Sequence, residues 1–172
     1  VRYNHRYRWE TGGPIRHLLT LHNSSEVPWT TGPCLALSDS QPLSEDMLQY
    51  TPVGSQGELQ VTAAINVAHD LTEQETDRQL KAHEPRNNEF YDLVTISSTL
   101  RLKSFEKRPV EMLITTPIVG LPTEASDDGK IRVDARQLRL LERAGSIEWQ
   151  ITLQPGEART LHYAYQRYVP SN

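Results

Sequence analysis

The first nine residues alternate by type. Val1, Tyr3, His5, Tyr7 and Trp9 fall on one face, and Arg2, Asn4, Arg6 and Arg8 on the other. Successive side chains of a strand point to opposite sides, so this period of two predicts a half-buried β-strand. Glu10 to Pro14 contains Gly12 and Gly13 and reads as a turn, and Ile15 to His22 as the returning strand. After a turn at 23–26, Pro28 to Leu37 is a further strand interrupted at Gly32-Pro33. Residues 38–58 are rich in Ser, Pro, Gly, Asp and Gln, which predicts loop with short extended pieces around Leu48-Gln49-Tyr50.

Glu58 to Val67 alternates again, with Leu59, Val61, Ala63, Ile65 and Val67 on one face. His69 to Glu84 is ambiguous. Thr72-Glu73-Gln74-Glu75 fits a helix capping box, yet no apolar stripe follows it. The competing reading, taken here as the expectation, is one strand of a protruding ribbon that pairs with the strand after Phe90, with 84–88 as its tip. Phe90 to Leu102 and Pro109 to Val119 are strand-like, and Ser126 to Gly129 is a hairpin-type turn. Ala135 to Ala144 fits one helical turn or two, closed by Gly145. In the last hairpin, Ile147, Trp149, Ile151 and Leu153 share a face. Pro155-Gly156 then suits a type II turn, and Arg159, Leu161, Tyr163, Tyr165 and Arg167 share the face of the returning strand. Trp149, Ile151, Leu153, Leu161 and Tyr163 or Tyr165 are therefore expected to pack together between sheets.

The expected fold is all-β: antiparallel β-sandwich(es) with a protruding ribbon and at most one short helix. The 172 residues suit one β-rich unit over 1–172, with a candidate sub-boundary near 85–89. Leu19 to Asn23 with Pro28-Trp29 echoes Leu100 to Ser104 with Pro109-Val110, a likeness that two ordinary hairpins also produce.

A net charge of −4 speaks against a nucleic-acid partner held by a global positive field. Cys34, the only cysteine, allows no intramolecular disulfide and stands in an apolar context. No apolar run reaches the length of a membrane span. The chain opens on Val1 inside a strand pattern and reads as a fragment of a longer protein, whose removed part includes the place of a signal segment. Its compartment is open, an extracytoplasmic one included.

The second half resembles the C-terminal domain of unknown function of mucoidy inhibitor A-like proteins. The carrying residues are Leu100 to Ser104 followed by Pro109 to Ile114, then Gly145 to Glu157, Leu161 to Tyr165 and Tyr168-Val169-Pro170. The family has Asn after its Leu-x-Leu strand, where Lys103-Ser104 stand here. The resemblance implies a β-rich fold at the end of longer, often exported bacterial chains, and carries no known activity or site residues.

Local chemistry is sparse. A hairpin could bring His5 near His17, but zinc wants three or four converging ligands, so no metal or other cofactor is expected. Glu124, Asp127 and Asp128 lack the spacing of a calcium loop. Asp70, Glu73, Glu75 and Asp77 lie in a polar context that suits a solvated face better than an acid/base pair. Two surface features stand out. Arg2, Arg6 and Arg8 form a stripe that either meets an anionic polysaccharide or guards a sheet edge. Trp29, beside Pro28 near a turn, is the candidate exposed ring of a sugar-stacking platform. The reading these support is a non-catalytic interaction or structural module whose partner is the rest of the parent protein or another protein. A carbohydrate-binding module is the alternative, and an enzyme fragment the third.

Overall fold

The computed structural model describes residues 2–38, 41–86, 88–134 and 139–171. Its fold is the expected all-β one, with antiparallel pairing dominant and no closure into a barrel. The strands are β1 (Arg2–Glu10), β2 (Arg16–His22), β3 (Gly32–Ser38), β4 (Gln41–Leu48), β5 (Gln56–Ala63), β6 (Val67–Arg86), β7 (Glu89–Ser104), β8 (Val110–Val119), β9 (Leu121–Ala125), β10 (Lys130–Val133), β11 (Ala144–Leu153) and β12 (Ala158–Pro170). A six-stranded sheet in the order β10-β11-β8-β1-β2-β5 faces a four-stranded sheet in the order β6-β7-β12-β9, and β3-β4 forms a separate two-stranded sheet.

The core follows from the alternation. Tyr7 and Trp9 of β1 and Met112 and Ile114 of β8 meet Ile147, Trp149, Ile151 and Leu153 of β11, all from the six-stranded sheet. Val94, Ile96, Leu100 and Leu102 of β7 and Leu161, Tyr163 and Tyr165 of β12 close on them from the other sheet. Both buried tryptophans keep their indole N–H satisfied: Trp9 donates to the Gly13 carbonyl at 3.0 Å and Trp149 to the Ser126 carbonyl at 2.8 Å. The Gln154–Glu157 turn closes with Glu157 N–H donating to Gln154 O at 3.0 Å, and Gly156 takes φ 74°, as a type II turn requires.

The segment 72–82 is strand, as the missing apolar stripe indicates: β6 pairs with β7 from Val67↔Ser104 to Arg86↔Glu89. The candidate sub-boundary near 85–89 thus falls where the pairing ends, at Arg86↔Glu89, with residue 87 outside the described residues. Strands from both sides of that boundary share one sheet, because β1 runs between β2 and β8.

Four expectations are corrected. The stretch 38–58 is not mainly loop, since β4 occupies Gln41–Leu48 and pairs with β3. The strand placed at Pro28–Leu37 starts only at Gly32, and Trp29 makes an isolated bridge to Thr51. The one or two helical turns expected over Ala135–Ala144 appear as one 3-10 turn, Leu140–Glu142, with residues 135–138 outside the described residues. Gly145 does not cap it. It is a β11 residue paired with Val133, and a Cβ there would stand 2.6 Å from the Arg132 carbonyl and 2.8 Å from the Pro122 ring. Finally, β1 is no sheet edge, because it is hydrogen-bonded antiparallel to β2 and parallel to β8.

Candidate functional site

The four-stranded sheet does not cover the whole inner face of the six-stranded one. Beyond Tyr7, the same face of β1 presents half-buried His5 and exposed Tyr3. The matching faces of β2 and β5 present Leu19, Leu59 and Val61, a second small apolar cluster. The β3-β4 hairpin packs on this cluster through Cys34 and Ala36. Between hairpin and sheet runs a groove of about 820 Å³, whose walls include Leu19, Leu59, Leu35, Leu37, Leu43 and half-buried Trp29. Cavities of this size with apolar walls and a few polar groups are the usual form of a binding site.

One end of the groove is polar. The register β1↔β2 pairs Tyr7 with His17 and His5 with Leu19, which places the two histidines diagonally on one face. His5 Nδ1 and His17 Nε2 are 2.8 Å apart, and the His17 ring stacks on Tyr7 at 4.6 Å between centroids. The segment joining β7 to β8 brings Glu106 and Arg108 to the same wall. Arg108 Nη1 lies 2.6 Å from His5 Nε2, and the Tyr7 hydroxyl donates to Glu106 Oε1 at 3.3 Å. Asn66 Nδ2 donates to that same oxygen at 3.4 Å.

Burial pushes the His17 pKa down to about 4, with the His5 and Arg108 charges acting in the same direction and Glu106 opposing them. Burial also lowers His5, followed by the Arg108 charge, again against Glu106. Both imidazoles are therefore neutral at neutral pH. A consequence for stability follows. The unfolded chain takes up a proton on this residue near the ordinary value of 6.5, well before the folded chain does. Stability is thus highest above that value and falls as the pH drops toward about 4. Urea unfolding across this window should show a steeper decline for the wild type than for His17→Gln. The shared carboxylates, Glu106 included, cancel in that comparison. Parallel curves would mean that the imidazole is solvated in the folded state.

The three arginines singled out on β1 do lie on its other face, which looks away from the core. Arg6 pairs with Glu111, and Arg8 with Glu58 at 3.0 Å, so two of the three charges are locally compensated. Arg2 is exposed near the start of the strand. Of the aromatic residues considered for a platform, Trp9, Trp149, Tyr163 and Tyr165 are buried in the core. Trp29 lines the groove, and none of the close aromatic ring pairs among the described residues includes it. Among the described residues no group of three or more His, Cys, Asp or Glu is placed to hold a metal, and no helix is long and apolar enough to cross a membrane.

The hairpin that walls the groove has an unusual edge. A free strand edge offers unpaired backbone N–H and C=O groups, which proteins normally blunt with charge, proline or bulges. The edge strand β6 carries Asp70, Glu73, Glu75, Asp77, Arg78 and Lys81, together with register shifts. The edge strand β10 carries Lys130 and Arg132, and β9 carries Pro122 and Glu124. At β5 the neighbouring β4 supplies cover: Asp46 Oδ2 accepts from the Gln60 amide at 3.0 Å. That bond and one from the Met47 amide hold the Asp46 carboxyl below its usual range. β3 has no charged residue at all, only Pro33 at its start and one irregularity after Ala36. Leu35 and Leu37, which border the groove, and the neighbouring Met47 are exposed.

Comparison of the chain with protein-family models, with curated proteins and with solved structures gives no match.

Proposed function

We propose that this chain is a non-catalytic β-sandwich interaction module of a larger protein, and that it docks an extended, largely apolar polypeptide segment in the groove beside β3. The observation that carries this reading is the uncharged free edge of β3 bordering an apolar cavity. An added strand would satisfy the backbone groups of that edge, while alternate side chains fill the cavity. The resemblance of the second half to the end domain of longer bacterial chains supports a parent protein, or a protein bound to it, as the source of the segment. Two features weigh against an anionic polysaccharide on β1: the carboxylate partners of Arg6 and Arg8. Among the described residues no second ring pairs with Trp29 to make a sugar platform.

Selection from a displayed library of random short peptides tests this. The wild type should enrich sequences with alternating apolar positions. Bound peptides should slow amide hydrogen exchange in β3. The variant Leu35→Asp/Leu37→Asp, whose changes are at exposed positions, should stay folded and lose the enrichment. Equal enrichment by the variant, or protection confined to the face of Arg6 and Arg8, would overturn the reading.

A further inference from the structure

We propose that the polar end of the groove binds a carboxylate, so that the docked segment carries an Asp or Glu side chain held by Arg108 and His17. This rests on the reading of the groove as a peptide-docking site and names what the segment must contain.

The argument begins with proton positions. A guanidinium has only donors, so the short contact from Arg108 Nη1 makes His5 Nε2 an acceptor. A neutral imidazole with a bare Nε2 carries its proton on Nδ1. His5 Nδ1–H therefore donates to His17 Nε2, 2.8 Å away. That leaves the His17 proton on Nδ1. The relay runs one way, from Arg108 through His5 to His17, and ends in an N–H donor on a residue that lines the groove.

The charge balance points the same way. Arg108 donates to a neutral ring, and within 4 Å it has no carboxylate partner among the described residues, unlike Arg6, Arg8, Arg78, Arg101, Arg132 and Arg159. Glu106, an acidic residue in this wall, is engaged by Tyr7 and Asn66. Arg108 keeps N–H groups beyond the one facing His5, and a carboxylate is the acceptor whose geometry matches them. An arriving carboxylate would accept from Arg108, which also faces the Tyr7 hydroxyl, and from His17 Nδ1–H. Strand addition on β3 holds the segment by its main chain, which presents side chains rather than a chain end to the walls. That favours Asp or Glu over a terminal carboxylate.

Imidazole nitrogen spectra of the free protein come first: both His5 and His17 should show the Nδ1–H tautomer, the minor one in water. Three short peptides then serve as probes. They are acetyl-Val-Glu-Val-Leu-amide, its Gln counterpart with an amide end, and the Gln counterpart with a free carboxylate end. The Glu peptide should bind at least about tenfold tighter than the Gln amide and shift the His17 Nδ1 resonance. Arg108→Gln, at an exposed position, should remove that tenfold difference between the Glu and Gln amides. Glu106→Gln should tighten the Glu peptide further by removing a like charge. Equal binding of Glu and Gln amides would overturn the carboxylate and leave docking intact. Preference for the free end would overturn the side-chain source. Failure of all three peptides, with no peptide enriched from the library, would overturn docking itself.

Discussion

Replacing Trp149 with alanine is expected to cost about 3–5 kcal/mol of unfolding free energy, the range for truncating a large buried ring. Trp149 is 1% exposed and sits in β11 opposite Ile114 of β8, within the main core cluster between the two sheets. Its ring lies 5.9 Å from that of Tyr163, which belongs to the facing sheet. The side chain thus joins the two layers, and its loss opens a cavity that neither sheet can close by moving alone. The indole also fixes a turn. Its N–H donates to Ser126 O, and Asp127 and Asp128 take φ 51° and 57° in the turn that Gly129 closes. A Cβ on Gly129 would stand 2.5 Å from the indole nitrogen, so the ring packs directly on that backbone. Trp149→Phe should recover most of the packing while leaving the Ser126 carbonyl without its indole donor, and so fall between the two. Thermal and urea unfolding measure this. A loss below about 1 kcal/mol for alanine would contradict a central position for the ring.

Why part of this fold was legible follows from what period two reports. It reports which side chains are buried, and in β1, β11 and β12 the buried face is the apolar one. In β4 the relation is inverted. Leu43 and Met47 are exposed while Ser44 and Asp46 are half-buried, so the strand is held by pairing with β3 and not by an apolar face. A stretch reading Gln-Pro-Leu-Ser-Glu-Asp-Met-Leu then looks like loop. The parallel join of β1 to β8 leaves no local mark either, since it unites residues about a hundred positions apart. The same divide runs through the site. The approach of His5 to His17 was readable because a hairpin register fixes it. Arg108 and Glu106 were not, because a loop from the other half of the chain delivers them. The groove was missed along with β4, which forms its hairpin wall. The arginine stripe was read correctly as a face. Its partners Glu58 and Glu111 come from strands whose neighbourhood only the sheet order reveals.

Gly120→Ala should destabilise the protein by roughly 3 kcal/mol or more, from strain at a forbidden φ combined with steric overlap. The chain leaves β8 in the six-stranded sheet and enters β9 in the four-stranded sheet with this one residue between them. To turn that corner Gly120 adopts φ 138°, a conformation that side-chain-bearing residues rarely take. The corner is also crowded. A Cβ would stand 2.3 Å from the Gln166 carbonyl oxygen and 3.0 Å from the Arg167 Cβ, both on β12. Backbone at that distance cannot give way as a flexible side-chain end can. β12 is moreover fixed on both sides, by β7 and by β9. Relief must come from opening the corner, which pulls Leu121 and buried Pro122 away from β12. Val119→Ala, one residue away and 76% exposed, is the control and should stay within about 0.5 kcal/mol of the wild type. Denaturant unfolding of the pair decides the matter: if the two variants are equally stable, the corner does not need glycine and the sheets are joined more loosely than this geometry requires.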